Sequence, residues 1–410
     1  MEIFVARQPI FDRRRQVIGY ELLFRNSLVN VFGKHDSDHA SLQMMDTTLL
    51  GFGLDSLVGD KLAFFNASRE VFVQEHWAVL PPGKSVIELL ETVEPDAEVI
   101  EACRALKNAG YQLALDDFVF RPEYETLLQY ADFVKIDFLI TTGDERAEIA
   151  RNFLRRGIRM LAEKVETYAE FQHGLAAGYE LFQGYFFCKP EMVTGKDLSP
   201  LKASLLLLIQ EVNRPEVDFD RLELLIKREV ALSVKLLRFL HSAGFGWRHE
   251  VHTISQALRV LGEGPTRKWA SLVALTLIGE DKPPELVTTS LVRAQFCEAI
   301  GKAGALADRQ ADCFLAGLLS TLDALLDRPM AAILEQMAIS QEIHDALICV
   351  GSEPGGETPV GQALALAISY DRADWERVEF LARAIGFPES GLPGAYAGAV
   401  AWVGSLLDNG

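Results

Sequence analysis

The 410-residue sequence has no excess of positive charge and no long apolar run. Its 40 Lys and Arg stand against 58 Asp and Glu, a formal net charge of −18. This balance argues against nucleic acid and against an anionic membrane surface as partners, because both attract clustered basic residues. The longest apolar stretches, such as SLLLLI at 204–209, are much shorter than the roughly 20 residues that span a bilayer. We therefore expect no membrane association.

The sequence also lacks paired cysteines and a recognisable leader. The five cysteines are scattered, without a C-x-x-C pair, which predicts buried reduced thiols rather than disulfides or a zinc site. The first residues, MEIFVARQPI, show no basic segment followed by an apolar one, so we expect no signal peptide and a cytoplasmic location. The hydrophobic content of 49% and the charged content of 24% are typical of a globular protein with two or three domains.

The first half alternates between short apolar segments typical of strands and segments with a helical pattern. The strand-like segments are QVIGYELLF, KLAFFN, KSVIELL, YQLALDD, DFVKID, IRMLAE and ELFQGYFF. Helical patterns lie between them, as in PDAEVIEACRALKNAG (95–110) and DERAEIARNFLRRG (144–157). This order predicts a parallel sheet with helical crossovers, open or closed into a barrel.

Each of these strands ends on a side chain that can bind a cation or a proton. The residues are Glu21, Asn66, Glu88, Asp116, Asp137, Glu163 and Gln183, and Asp117 follows Asp116 directly. Successive members are about one strand–helix unit apart, except that the first gap has room for two. In a closed barrel these ends would share one rim, where barrel enzymes hold their active sites.

Carboxylates gathered on one rim would repel one another unless cations neutralise them. Because the set contains only oxygen ligands and no histidine, it favours Mg²⁺ or Mn²⁺ over zinc. Lys135 and Asp137 are two residues apart in VKID and face the same side, so an inward Lys135 could orient a water or neutralise a developing oxyanion. Any one of these residues could instead pair with a lysine or cap the next helix, and the sequence leaves that alternative open.

These segments resemble the EAL domain of bacterial signalling proteins, whose active members hydrolyse cyclic di-GMP to the linear dinucleotide pGpG. The similar motifs are ARQPIFDRRRQVIGYELLFR, FFNAS, IELLET, LALDDF, VKID, AEKVET and FQGYFFCKP, with Leu22 in place of alanine in the E-A-L motif. The resemblance implies a TIM-like (β/α) barrel over residues 1–198.

The resemblance also implies a two-metal phosphodiesterase site with cyclic di-GMP as the ligand. Its two cations, Mg²⁺ or Mn²⁺, would be held by Glu21, Asn66, Glu88, Asp116 and Asp117, with help from Asp137. Lys135 and Glu163 would position or deprotonate the attacking water. Ligand binding would fall to Gln8, Arg25 and Gln183, with Arg25 on a phosphate.

Two departures from the family pattern bear on turnover. Active members continue D-D-F into a glycine-rich loop, whereas DDFVFRPEYE has no glycine and contains Pro122. Lys164 also stands where the family has glycine. Three readings therefore stay open: a slow or conditional phosphodiesterase, which we favour narrowly, a non-catalytic cyclic di-GMP receptor, and an interaction scaffold with a degenerate site.

From about residue 199 the pattern is almost purely helical, so the whole chain reads as α/β followed by all-α. Residues 199–410 resemble the HDOD domain, on the segments LSVKLLRFLHSAGFGWRHEVHTISQALRVLG and FLAGLLSTLDALL. Ser320 and Thr321 stand where catalytic relatives carry a His-Asp doublet, so the resemblance implies no second metal site. We expect this domain to recognise another protein or a second copy of this chain.

Overall fold

A computed structural model describes residues 4–25, 53–190, 198–229, 232–236, 253–302, 304–337, 339–349 and 358–408. Contacts divide the chain into two compact units. The first contains the described parts of 1–189 and 365–410, and the second contains most of the described residues between them. The domain limits at residue 198 stay a sequence-based prediction.

Eight strands form a closed barrel in sequence order. They are β1 (Phe4–Asp12), β2 (Val17–Arg25), β3 (Leu62–Ala67), β4 (Ser85–Leu89), β5 (Gln112–Leu115), β6 (Phe133–Asp137), β7 (Arg159–Glu163) and β8 (Leu181–Gln183). Neighbours from β2 to β8 are parallel, whereas β1 is antiparallel to both β2 and β8. β1 is therefore additional to the seven strands predicted from the sequence, and it precedes the first of them. Since β2 pairs directly with β3, the extra unit for which the sequence had room adds no strand between them.

Four of the five helices that the structure describes in the barrel region begin after a residue whose side chain accepts from an early backbone N–H group; the exception is the first helix, which begins after Gly53. These helices are α1 (Leu54–Val58), α2 (Arg69–Val73), α3 (Ala97–Asn108), α4 (Gly143–Leu154) and α5 (Tyr168–Ala177). In α4, the Thr142 side chain accepts from the Glu145 N–H and the Glu145 side chain accepts from the Thr142 N–H, a capping box. α5 begins with the same arrangement. These caps fix where each crossover helix starts relative to the preceding strand.

One layer of apolar side chains fills the barrel interior. Its members are Ile10, Phe64, Val86, Ala114, Phe133, Leu161 and Leu181, all buried. Gly19 on β2 leaves room for this layer, because a Cβ there would lie 2.9 Å from both the Leu62 carbonyl and the Phe64 ring. The layer closes one part of the barrel, and polar side chains can gather only beyond it.

The remaining helices of the described residues lie after residue 198. They are α6 (Pro200–Val212), α7 (Phe219–Arg228), α8 (Ile254–Leu261), α9 (Glu263–Ile278), α10 (Pro284–Gly301), α11 (Gln310–Leu319), α12 (Leu322–Leu326), α13 (Met330–Leu334), α14 (Gln341–Ile348), α15 (Pro359–Asp371), α16 (Trp375–Ile385) and α17 (Leu392–Asp408). α8 and α9 are separated at Gly262, which has φ +78°. This confirms the helical character of the second half. In the described parts of the chain, no helix combines the length and apolarity needed to cross a membrane.

The carboxyl-terminal helices contact the barrel within the first unit. The Trp375 ring lies edge-on to Phe4 at 6.1 Å, and α17 contacts β1 and α1. The Tyr185 hydroxyl donates to the Asp371 carbonyl at 2.6 Å. The turn between α15 and α16 therefore lies against β1 and the segment after β8.

Candidate functional site

The inner faces of the strands change from apolar to polar toward one end of the barrel. Because side chains alternate along a strand, each apolar residue of the inner layer is followed two positions later by a residue on the same face. These later residues are Asn66, Glu88, Asp116, Lys135, Glu163 and Gln183. β2 contributes Glu21, two residues after Gly19, and the antiparallel β1 contributes Gln8, two residues before Ile10. One polar layer results, with residues from all eight strands or their immediate ends.

Lys135 lies within this polar layer and is fully buried. Its Nζ is 2.7 Å from Asp116 Oδ1, 2.9 Å from Glu163 Oε1, 3.0 Å from Glu88 Oε1 and 3.4 Å from Glu21 Oε2. Burial alone would lower the pKa of Lys135, but these four carboxylates outweigh it and raise the pKa well above its ordinary value. Lys135 is thus a permanently charged ammonium.

Glu21 is the most completely hydrogen-bonded of the four carboxylates. Its Oε1 accepts from Asn66 Nδ2 at 2.9 Å, and its Oε2 accepts from Gln183 Nε2 at 2.6 Å. Gln183 Nε2 also lies 3.1 Å from Gln8 Oε1, which links β1 to the same network. Burial raises the pKa of Glu21, but Lys135 and the two amides outweigh burial, so the pKa is lowered. Glu21 is held ionised.

The other three carboxyls around Lys135 hold protons more tightly than usual. Burial, only partly offset by Lys135, raises the pKa of Glu163 to about 8. Burial also raises the pKa of Asp116, and it raises that of the fully buried Glu88 well above its ordinary value. One ammonium does not compensate four buried carboxylates, so the layer needs protons or further cations at neutral pH.

A second lysine holds the two remaining acidic residues. Lys164 Nζ is 2.5 Å from Asp137 Oδ2 and 3.6 Å from Asp117 Oδ2. Both Lys164 and Asp117 have positive φ, +54° and +39°. That conformation costs a non-glycine residue roughly 1–2 kcal/mol. The sequence identifies Lys164 as a departure from glycine, but it carries no signal of this contact with two predicted site residues.

Arg25 lies apart from this network. It ends β2, four residues beyond Glu21 on the same face, and is therefore about 13 Å further along the strand. The position extends the polar face outward from the buried layer. Of the eleven predicted site residues, the structure brings ten together at the layer and its edge and places Arg25 further out.

The oxygen atoms of the site suit divalent cations. Several buried side-chain oxygens accept no hydrogen bond: Asn66 Oδ1, Glu88 Oε2, Asp117 Oδ1 and Gln183 Oε1, while Glu88 Oε1 has only its ion pair with Lys135. Unpartnered amide and carboxylate oxygens are the ligands that Mg²⁺, Mn²⁺ and Ca²⁺ take. Within the described residues, no three acidic, histidine or cysteine side chains have the spacing of a preformed metal site, because the carboxylates are turned toward Lys135. The residues fit a cation chemically, and binding would require these carboxylates to turn.

A cavity of about 100 Å³ adjoins the polar layer beside Asp116 and Asp117. Arg121, Tyr124 and Glu91 contribute to its lining. Phe118, at the start of the altered loop, is buried and its N–H donates to the Lys135 carbonyl at 3.0 Å. The loop is therefore anchored to the strand that carries Lys135, although it contains no glycine.

Two hydroxyl side chains stand where catalytic relatives carry a His-Asp doublet, and both form hydrogen bonds within the helical half. Ser320 and Thr321 are buried, and the Ser320 hydroxyl donates to the Gly317 carbonyl at 2.8 Å. The Thr321 hydroxyl hydrogen-bonds that of Ser290. Asp323 is the nearby carboxyl, and burial raises its pKa to about 6. The Ser320 hydroxyl therefore bonds within its own helix, and the Thr321 hydroxyl bonds a side chain of α10.

Comparison with known proteins gives two domain matches and full-length relatives. Family models for the EAL domain and the HDOD domain match residues 60–190 and 198–344. A cyclic di-GMP phosphodiesterase of Vibrio cholerae, CdgJ, is 37% identical over 94% of this chain and 88% of its own length. The uncharacterized protein YuxH of Bacillus subtilis is 33% identical over the full length of both chains.

Among solved structures, BlrP1 of Klebsiella pneumoniae in complex with calcium and cyclic di-GMP is 23% identical, with a TM-score of 0.38, over 46% of this chain and 55% of that one. The length of the two sequence matches extends the similarity through both halves. The chain belongs to the family of proteins in which an EAL domain is followed by an HDOD domain.

Proposed function

We propose that this protein hydrolyses cyclic di-GMP to linear pGpG, slowly or conditionally, with two divalent cations. The observation that carries this proposal is the polar layer itself, in which carboxylates from four strands surround one buried lysine and several buried oxygens lack donors. The name of the Vibrio cholerae relative supports the same reaction.

The cations would be Mg²⁺ or Mn²⁺, held by Glu21, Asn66, Glu88, Asp116 and Asp117, with help from Asp137. When bound, such ions lower the pKa of water and neutralise charge on a phosphodiester. The donor-free oxygens of Asn66, Glu88 and Asp117 support this assignment, because they can accept a cation without losing a hydrogen bond. The cations would also let a chain of net charge −18 accept an anionic nucleotide.

Glu163 would accept the proton of the attacking water, and Lys135 would stabilise charge beside it. A general base works best when its pKa is near the working pH, and the pKa of about 8 for Glu163 meets that condition. Lys135 Nζ lies 2.9 Å from the same carboxylate, so it can orient Glu163 and hold negative charge nearby. Gln183, Gln8 and Arg25 would bind the nucleotide, with Arg25 reaching a phosphate beyond the buried layer.

The helical domain would recognise a protein partner or a second copy of this chain, and so regulate the barrel. Exposed large apolar side chains support a recognition role, among them Leu207 and Leu224. None of the five cysteines, all of which lie in the described residues, forms a disulfide, which supports a reducing, cytoplasmic location. The net charge of −18 supports a role without nucleic acid or membrane.

The test is incubation of the full chain with cyclic di-GMP and Mn²⁺, followed by chromatography for pGpG. Wild type should form pGpG, and Glu21→Ala should abolish it, because Glu21 anchors both Asn66 and Gln183. The matched control is Glu101→Ala, an exposed carboxylate on α3, which should keep wild-type turnover. No product from wild type at high enzyme concentration would refute the enzymatic proposal.

A non-catalytic receptor is the second candidate, and the Lys164 contacts with Asp117 and Asp137 favour it. Calorimetry would then show cyclic di-GMP binding without product. If wild type binds no nucleotide at all, both candidates fail. If the protein is instead an interaction scaffold, its partners should bind equally well with and without the nucleotide, and equally well to wild type and to Glu21→Ala.

A further inference from the structure

The acidic side chains of the site are divided between two lysines. Lys135 contacts the four carboxylates of the buried layer, whereas Lys164, among the residues that the structure describes, pairs with Asp117 and Asp137. We name these the Lys135 group and the Lys164 group. Oxygens without a hydrogen-bond donor occur in both groups. Asn66 Oδ1 and Glu88 Oε2 lie with the Lys135 group, and Asp117 Oδ1 lies with the Lys164 group.

In the Lys164 group, each carboxylate oxygen of Asp137 already accepts a hydrogen bond. Its Oδ2 accepts from Lys164 Nζ at 2.5 Å, and its Oδ1 accepts from the Leu139 N–H at 2.6 Å. Asp137 is 6% exposed, so water cannot replace these donors freely. A divalent cation that used Asp137 would have to displace the Lys164 ammonium first.

The backbone around Lys164 keeps its side chain at this position. The next residue, Val165, is fully buried; its N–H donates to the Gln183 carbonyl at 2.9 Å and its carbonyl accepts from the Phe186 N–H at 3.1 Å. The strained φ of +54° at Lys164 therefore persists in a turn fixed by β8 and the segment after it. Displacement of the ammonium must come from side-chain motion alone.

We propose that Lys164 is a built-in cation which occupies the Asp117–Asp137 part of the site and competes there with a divalent ion. The proposal rests on the proposed function and deepens it. The Lys135 group binds one divalent cation tightly, and the Lys164 group binds a second one weakly, because that ion must expel an ammonium. A lysine carries charge but does not lower the pKa of a bound water as a metal ion does, so turnover would depend on occupancy of the second position.

The test counts cations rather than product. The full chain, freed of metal with a chelator, is titrated with Mn²⁺ alone, and free Mn²⁺ is followed by electron paramagnetic resonance. Wild type should show one tight site and a second that is at least tenfold weaker. Lys164→Gly removes the ammonium and relieves the backbone, so the second site should tighten by tenfold or more. Lys164→Arg keeps the charge and should retain wild-type behaviour.

The matched control is Lys107→Ala. Lys107 Nζ is 2.5 Å from Asp132 Oδ2, a similar pair that lies just before β6, whereas Asp137 ends that strand. Its removal should leave both Mn²⁺ affinities unchanged. Lys164→Gln provides a second neutral variant, and a far-ultraviolet circular dichroism spectrum matching wild type shows that each variant is folded.

Two equally tight Mn²⁺ sites in wild type would overturn the inference, as would unchanged second-site affinity in both Lys164→Gly and Lys164→Gln. Either result leaves the proposed function intact if pGpG still forms. Absence of Mn²⁺ binding together with absence of product would instead refute the proposed function. Turnover should depend on second-site affinity in the same way, so Lys164→Gly should require less Mn²⁺ than wild type for half-maximal turnover.

Discussion

Replacement of Glu163 by glutamine is expected to make the metal-free protein more stable while it removes activity. Burial raises the pKa of Glu163 from 4.5 to about 8, so at neutral pH folding takes up a proton or buries a poorly compensated charge. Glutamine is neutral at every pH and has nearly the same shape. The variant therefore avoids this cost but cannot accept a proton from water.

The size of the gain follows from the two pKa values. The folded state binds the proton more tightly than the unfolded chain, so the stabilising contribution is complete below about pH 4.5 and is lost as the pH rises to about 8. At pH 7.5 the loss is about 4 kcal/mol, and at pH 5 it is about 1 kcal/mol. About 4 kcal/mol is an upper limit for Glu163→Gln, because an amide holds the Lys135 ammonium less well than a carboxylate does.

The assay is urea denaturation with EDTA at both pH values, combined with the pGpG measurement in Mn²⁺. The free energy of unfolding should rise more at pH 7.5 than at pH 5, and turnover should fall by about 10²–10⁴-fold. Glu125→Gln is the control, because Glu125 is exposed and Arg156 lowers its pKa, so no gain is expected. A variant less stable than wild type at pH 7.5, or an equal gain at both pH values, would refute the reasoning.

Three further outcomes are expected. Lys135→Met leaves four buried carboxylates without their ammonium. It should lower the free energy of unfolding of the metal-free protein by roughly 3–5 kcal/mol at pH 7.5 and by less at pH 5. An equal loss at both pH values would contradict this prediction. Gly184 has φ +138°, and in Gly184→Ala the new Cβ would lie 2.2 Å from the Val165 carbonyl. The melting temperature should fall by an amount that corresponds to at least about 2 kcal/mol. Gly83→Ala is the control, because Gly83 has open space around it, and it should leave the melting temperature unchanged. Mn²⁺ affinity measured by titration should increase from pH 5 to pH 8, because the proposed ligands Glu88 and Asp116 have raised pKa values and must lose protons to bind; a pH-independent affinity would count against these two carboxyls as ligands.

The barrel and the composition of its polar layer could be predicted from the sequence because strand geometry is local. A residue two positions after an inward apolar side chain faces inward as well, so Glu88 after Val86 and Glu163 after Leu161 are placed by alternation alone. The same rule applied backwards explains Gln8, because β1 runs opposite to its neighbours. That reversal depends on pairing with distant strands and has no local signal in the sequence.

The position of Lys164 Nζ could not be predicted in the same way. The sequence showed only that a lysine stands where glycine was expected. Its contacts depend on a positive φ and on the anchoring of Val165 by β8, which are properties of the folded turn. Likewise, the apolar pattern of the last helices indicates a buried face without identifying what covers it, and contacts with Phe4 and Tyr185 emerge only in three dimensions.

The first compact unit is assembled from both ends of the chain, and this affects how the protein can be dissected. Residues from 371 to 375 touch Phe4 and Tyr185, and the Arg372 carbonyl accepts from Gln8 Nε2 at 3.4 Å. A fragment that stops at residue 198 would uncover these surfaces beside a predicted nucleotide-binding residue. Such a fragment should melt at a lower temperature than the intact protein and understate its catalytic capacity. Exchange of the helical half with that of a homologue should likewise preserve the barrel only when the final helices remain with their native partner strand.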